Sequence, residues 1–304
     1  MKRLSVLLVL SGAALSLAQP PRASLRPSLP ADTVVHRDLA YVTDGHARQK
    51  LDLYLPPATG RLPVIVWVHG GAWLGGSKDR PVPLGYLSKG YAVASINYRL
   101  SQHATFPAQI EDCKAAVRWL RAHAEQYHLE SNRFAAWGES AGGHLVALLG
   151  TTGDVNEFDV GEHLDVSSAV QAVVDCFGPT DFLQMEAHRL PNGMVHDTPD
   201  SPESKLVGGP IRENPDKVAR ANPITYVSAT DAPFLIVHGD RDPLVPHHQS
   251  ELLEAALKKA GVPVSFYTVA GGGHGGFRDP KVPELIEAFL ARHLKPAPAD
   301  PPTD

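Results

Sequence analysis

Phe134-Ala135-Ala136-Trp137-Gly138-Glu139-Ser140-Ala141-Gly142-Gly143-His144-Leu145-Val146-Ala147-Leu148-Leu149 joins a short apolar run to a second one through a glycine-flanked serine. The first run suits a buried strand, and the second reads as the beginning of a helix. Gly-x-Ser-x-Gly alone is weak in a chain with 26 glycines, because chance supplies it now and then. Between a strand and a helix it acquires a mechanism. The glycines at minus two and plus two leave room for a sharp turn that exposes the serine, and the helix N-terminus behind it favours developing negative charge. Ser140 is therefore the candidate nucleophile.

Outward from this turn the chain keeps the same rhythm. Val64 to Val68, Tyr91 to Ile96, Arg133 to Trp137, Ala169 to Val174, Phe234 to Val237 and Val264 to Val269 are short apolar segments, most of them bounded by Gly, Pro, Asn or Asp. Val34 to Val42 and Gln49 to Leu55 suit a hairpin at the leading edge, which brings the strands to eight. Ile110, Cys113, Val117 and Leu120 recur at helical steps, as do Leu252, Leu253, Ala256 and Leu257 before Gly261. Strand, helix, strand repeated in this way predicts an α/β fold: a mostly parallel sheet with helices on both faces. Residues 181–230 break the rhythm with many turn residues and weak periodicity, and read as a lid or cap over the strand ends.

Two glycine-rich stretches and one acidic stretch follow strands and complete a chemical set. Val68-His69-Gly70-Gly71-Ala72-Trp73 leaves an early strand with almost no side chains, so that backbone N–H groups can face a substrate. His238-Gly239-Asp240-Arg241-Asp242 supplies two candidate acids, and Gly271-Gly272-Gly273-His274-Gly275-Gly276 follows the last strand with a histidine in a flexible loop. His247 and His248 lie too near the acids along the chain to fold back readily, and His293 belongs to the terminal helix. His274 is the candidate base. His69, at a strand end ahead of the donors, is expected to hold its loop by a side-chain hydrogen bond.

HGGAW, SINYRL with FPAQIEDCKAAVRWLR, WGESAGGHL, DCFGPTDF, HGDRDPLVP and GGGHGGF occur in that order across Val34 to Leu294. With these motifs the chain resembles the esterase and lipase branch of the α/β-hydrolases related to hormone-sensitive lipase, nearest the bacterial acetyl xylan and feruloyl esterases. The resemblance implies the α/β-hydrolase fold with a small lid insertion. It also implies a triad in the order Ser140, Asp242, His274, because His-Gly-x-x-Asp-x-x-Val-Pro places the acid at Asp242 and leaves Asp240 to hold the turn. The oxyanion donors become the N–H groups of Gly71, Ala72 and Ala141, and Trp73, Glu139 and Phe177 become candidates to line the substrate pocket. Glu139 stands where the hormone-sensitive lipase branch usually has Asp, and Ala72 where it has Gly. The implied activity is hydrolysis of short-chain or aryl carboxylic esters through an acyl-enzyme, with acetyl or feruloyl groups on plant polysaccharide among the candidates.

The ends and the bulk composition set the context. MKRLSVLLVLSGAALSLAQP has two basic residues, an apolar run and small side chains at Ser16 to Ala18, the pattern of a secretory signal cleaved after Ala18. A proline-rich leader over 19–32 and a similar tail over 295–304 flank a single catalytic domain over 33–294. The run at the start is too short for a spanning helix, so the exported protein is expected to be soluble, without stable membrane insertion. A net charge of −5 with scattered basic residues argues against a nucleic-acid partner and leaves a small-molecule or carbohydrate ester as the substrate. No Cys/His cluster asks for a metal, and nothing asks for a cofactor. The two cysteines, Cys113 and Cys176, are equally compatible with a disulfide and with two buried thiols. An amidase or peptidase using the same three residues, and a non-catalytic binding protein on a hydrolase fold, are the alternative functions.

Overall fold

The computed structural model describes residues 29–295, so the signal sequence, most of the leader and residues 296–304 lie outside the described residues. Eight strands make one sheet: β1 (Val34–Ala40), β2 (Lys50–Leu55), β3 (Leu62–Val68), β4 (Ala92–Ile96), β5 (Leu129–Glu139), β6 (Ala172–Cys176), β7 (Phe234–Gly239) and β8 (Val264–Val269). They lie in the order β1-β2-β4-β3-β5-β6-β7-β8. β1 and β2 form the expected edge hairpin, β2 is also antiparallel to β4, and every later pair is parallel.

The inner strands are apolar on both faces because helices cover both. Along β3, Val64, Val66 and Val68 enter the larger core, while Ile65 and Trp67 point to the other side. In β5, Phe134 and Ala136 face the larger core, and Ala135 and Trp137 the smaller one. Helices α1 (Ala108–Ala122), α2 (Ala141–Thr151) and α6 (His248–Ala260) fill the larger side. Helix α7 (Lys281–Leu294) and the 3-10 helix Val82–Lys89 close the smaller one.

This division also answers the cysteine question. Cys113 on α1 belongs to the larger core and Cys176 at the end of β6 to the smaller, so the sheet stands between two free, buried thiols. Strand β6 starts three residues later than its apolar run does. The Ala169 carbonyl accepts a hydrogen bond from Arg121 Nη2 at 2.7 Å, which takes that residue out of the ladder.

The stretch over 181–230 contains three short helices, α3 (Phe182–His188), α4 (Pro202–Val207) and α5 (Pro215–Ala221), and two single-turn 3-10 helices. Helices of six or seven residues are too brief to show periodicity, but their caps are legible. The Asp181 carboxylate accepts from Leu183 N at 3.1 Å, Ser201 Oγ accepts from Ser204 N at 3.1 Å, and proline opens both α4 and α5. Phe182, Met185, Leu206, Ile211 and Val218 anchor this insertion in the larger core.

In the parallel part of the sheet, Val68 pairs with Gly138, Glu139 with Cys176, and Gly239 with Val269. The carboxyl ends of β3, β5, β6, β7 and β8 therefore share one edge, and loops leaving that edge converge.

Beneath the edge, Asp175 of β6 is fully buried and accepts one hydrogen bond, from Gly178 N at 3.0 Å, while its Oδ2 has no partner among the described residues. Burial pushes its carboxyl up to about 7. The folded protein thus keeps a proton that the unfolded chain releases near pH 4, and the resulting penalty grows as pH rises from about 4 to 7 and is constant above. Asp175→Asn removes the titration, so its melting temperature relative to wild type is expected to rise by about 5 °C between pH 4 and pH 8. A difference that does not change with pH, measured by calorimetry, contradicts the assignment.

Candidate active site

The turn from β5 into α2 is held by backbone crowding. Ser140 has φ 55° and ψ −123°, a conformation that costs about 1–3 kcal/mol for a residue with a side chain. A Cβ at Gly142 would come within 2.1 Å of the Val68 carbonyl oxygen, and one at Gly138 within 2.3 Å of the Gly142 carbonyl oxygen. These two positions accept only glycine, which explains the flanking residues of the motif. The Ser140 N–H donates to the Cys176 carbonyl at 2.9 Å and ties the turn to β6.

His274 reaches the serine from the loop after β8. Its Nε2 lies 3.0 Å from Ser140 Oγ and its Nδ1 2.7 Å from Asp242 Oδ2. Asp242, in the loop after β7, is 2% exposed. Its Oδ1 accepts from Leu244 N at 2.8 Å and Val245 N at 3.0 Å, and its Oδ2 is shared between His274 and His238 Nε2 at 3.2 Å. Burial raises this carboxyl, but the hydrogen bonds from His238 and His274 outweigh it and hold the group well below the ordinary carboxylate range. With Asp242 ionised, the His274 Nδ1–H donates to the carboxylate and Nε2 is left to accept the Ser140 proton.

The sequence reading did not single out His238, although it heads the HGDRD motif. Burial pushes its imidazole down, and its Nδ1 lies 2.7 Å from Ser250 Oγ. Nε2 faces only acceptors, Asp242 Oδ2 and the Val245 carbonyl at 3.1 Å, so it carries the proton and Nδ1 accepts from Ser250. Asp240 holds the turn: its Oδ1 accepts from Gly271 N at 2.7 Å and fixes the start of the His274 loop. His247 points to Thr268 Oγ1 at 2.9 Å, and His248 stacks on His188, so neither approaches Ser140.

The loop after β3 is clamped from behind. The His69 Nδ1–H donates to the Gly70 carbonyl at 2.7 Å, its Nε2 accepts from Arg48 Nη2 at 3.0 Å, and its ring stacks on Tyr98. Burial pushes His69 down to about 4, consistent with a neutral ring used as a brace. Arg48 also donates to the carbonyls of Tyr98 and Gly76, a role invisible in its local sequence. Ala72 and Trp73 have φ of 54° and 55° and Gly71 of 114°. The N–H groups of Gly71 and Ala72 donate to no acceptor among the described residues.

A cavity of about 60 Å³ opens beside the serine. Ala72, Trp73, Ala141 and His274 line it from the hydrolase core, and Met194, Pro202 and Glu203 from the insertion. Trp73 is both a lining residue and a member of the larger core. Gly71, Glu139 and Phe177 are not among the lining residues. The Gly71 carbonyl accepts from the N–H groups of Leu74 and Gly75, which makes this residue the corner of its loop. Glu139 closes the β5 ladder opposite Cys176, where burial raises its carboxyl. Phe177 sets its ring edgewise 4.7 Å from that of His274 and packs on Phe277, so it supports the histidine from outside the pocket.

A serine on a strand-to-helix turn at the carboxyl edge of this sheet, with a histidine and an aspartate brought to it by later loops, is the arrangement of the α/β-hydrolase fold. The chain belongs to the BD-FAE family, whose model matches residues 51–257, and a TAP-like protein model matches residues 214–301. It is similar to a truncated carbohydrate esterase from gut microbiota, at 34% identity and a TM-score of 0.79 over 86% of this chain and 97% of that one. The acetyl ester-xyloside bifunctional hydrolase of Caldicellulosiruptor lactoaceticus shares 26% identity and a TM-score of 0.68 over 80% of this chain and 87% of that one. Esterase LipQ of Mycobacterium tuberculosis is 31% identical over 83% of this chain. The chain spans about half to two thirds of the length of such curated relatives, 61% in the case of LipQ.

Because a Cβ at Gly142 meets backbone, whereas one at Gly273 meets nothing within 4 Å, the two glycines of the site should respond differently to alanine. Gly142→Ala is expected to lose about 3 kcal/mol or more of stability in urea unfolding, and Gly273→Ala less than about 1 kcal/mol. Equal losses would show that crowding does not hold the turn.

Proposed function

We propose that this chain is an exported serine carboxylesterase that removes short acyl groups from hydroxylated, carbohydrate-type alcohols through an acyl-enzyme. The observation that carries the reading is the continuous relay from Ser140 Oγ through His274 to Asp242, at 3.0 and 2.7 Å, at the N-terminus of α2. Ser140 Oγ attacks the ester carbonyl as His274 Nε2 takes its proton. Asp242 stabilises the imidazolium that forms, and His274 then returns the proton to the departing alkoxide. A water deprotonated by His274 attacks the acyl-enzyme carbonyl, the Ser140 Oγ–acyl bond breaks to release the acid, and His274 returns the proton to Ser140 Oγ. The N–H groups of Ala72, in the loop that Gly71 shapes, and of Ala141, at the start of α2, both beside the cavity, stabilise the oxyanion.

The small cavity of about 60 Å³ beside Ser140, lined largely by apolar residues, supports a short acyl group. Similarity to a carbohydrate esterase over 97% of its length supports the sugar alcohol. The apolar run and small residues before Gln19 support export, and no helix among the described residues is long and apolar enough to cross a membrane. Residues 181–230 act as the cap, since Met194, Pro202 and Glu203 close the cavity from above the strand ends.

Ser140→Ala should lower kcat for p-nitrophenyl acetate by about ten-thousand-fold, with the melting temperature preserved. A variant within tenfold of wild type sinks the mechanism. For export, N-terminal sequencing of the protein secreted by a bacterial host should begin at Gln19. Intact Met1 on protein confined to the cytoplasm is the contrary result.

A further inference from the structure

The insertion contributes one long apolar side chain that neither core uses. Met194 is half-buried, belongs to none of the hydrophobic clusters packed against the sheet, and lines the cavity beside Ser140. The other lining residues are committed elsewhere. Ser140 and His274 carry out the chemistry, Ala72 and Ala141 present backbone N–H groups, and Trp73 is locked edgewise on His144 at 5.2 Å and on Phe182 at 5.5 Å. Leu244 is 43% exposed and faces solvent. Met194 is therefore the flexible apolar group whose packing partner is the cavity itself. An unbranched thioether fills irregular space, and which space it fills depends on how its backbone is held.

That backbone is held on both sides. Arg189, directly after α3, bonds through Nε to Glu186 Oε1 at 2.6 Å, and its Nη1 donates to the carbonyls of Leu190, Pro191 and Gly193 at 3.4, 3.3 and 3.4 Å. The second oxygen of Glu186 accepts from His196 N at 2.9 Å, so residues 189–196 wrap around this ion pair. The Met194 N–H donates to the Pro243 carbonyl at 2.7 Å, one residue after Asp242. A Cβ at Gly193 would lie 3.1 Å from the carbonyl oxygens of both Leu190 and Pro243, so the approach is close. Met194 is thus fixed where the insertion meets the loop of the triad acid.

We propose that Met194 is the wall that limits the acyl chain, so that the enzyme selects straight-chain acyl groups of a few carbons, with Arg189 and Glu186 holding it at the cavity. The proposal rests on the esterase reading above and names the residue that sets its acyl range. Met194 touches the acyl group. Arg189 and Glu186 act through Met194 and are positioning residues. A side chain that only filled space would, on truncation, lower stability without changing which ester is preferred.

The test compares kcat/KM for the p-nitrophenyl esters of acetate, butyrate and hexanoate, which share one leaving group. For wild type the value should fall by about tenfold or more from acetate to hexanoate. Met194→Ala should raise the hexanoate-to-acetate ratio by about tenfold or more, mainly through KM for hexanoate, because a buried methylene is worth about fourfold in binding. Arg189→Lys keeps a charge beside Glu186 but loses the planar fork that reaches the carbonyls, so it should shift the ratio the same way by about threefold. Combined with Met194→Ala it should add less than about twofold, since both changes act on one side chain. If Met194→Ala does not fold, as judged by its melting curve, Met194→Val serves in its place and should move the ratio in the same direction. An unchanged ratio in a folded variant overturns the proposal, as does a wild type that cleaves hexanoate as readily as acetate. An Arg189→Lys effect that adds in full to that of Met194→Ala overturns the positioning role. Wild type that hydrolyses none of the three esters refutes the esterase reading itself. Turnover of acetate with a ratio that Met194 does not control leaves that reading standing and refutes this one.

Discussion

The close approach of α2 to the end of β3 is the contact on which the site depends. Where the Val68 carbonyl lies so near Gly142 that a methyl group would meet it at 2.1 Å, the chain can leave β5 only through a turn that places Ser140 at φ 55°. Such a conformation persists only if its surroundings over-determine it. Here they do, through the Ser140 N–H bond to Cys176 and a helix whose eleven residues are all buried. The strain puts the hydroxyl above the sheet edge with a helix N-terminus directly behind it.

Every other catalytic element is positioned relative to that edge. The Asp242 loop is fixed by its own backbone N–H groups and by His238, and the His274 loop by Asp240 at one end and Phe177 at its flank. On the far side, Arg48 and His69 brace the loop that presents Ala72. The supporting side chains are chiefly buried histidines kept neutral by desolvation, among them His144, pushed down to about 4, which donates from Nε2 to the Ala221 carbonyl of the insertion at 2.7 Å. A neutral histidine supplies one donor and one acceptor in fixed directions without bringing a competing charge near Asp242.

Much of this was legible in the sequence because backbone requirements leave their mark on residue type. The six parallel strands, the edge hairpin, the elbow and the glycine loops follow from apolar runs, glycine spacing and chain order, and the structure brings Ser140, Asp242 and His274 together as that order implies. Less legible were features made by distant partners. Arg48 reaches the β3 loop from a turn before β2, and His238 acts through Asp242, so neither carries a local pattern. The resemblance implied Glu139 and Phe177, which adjoin Ser140 and Cys176 along the chain, as pocket-lining residues. A strand end turns neighbours to different sides, and both fall outside the cavity lining. Glu203 escaped notice for the converse reason: it lies far along the chain, in an insertion of helices too short to show which face is inward.

The central claim is that this constellation activates Ser140 and no other serine. Intact-mass spectrometry after brief exposure to a fluorophosphonate, followed by peptide mapping, tests it directly. The account predicts one adduct per chain, on the peptide carrying Ser140, and none in the His274→Ala variant over the same interval. An unlabelled wild-type protein, or an adduct on another serine, would contradict it.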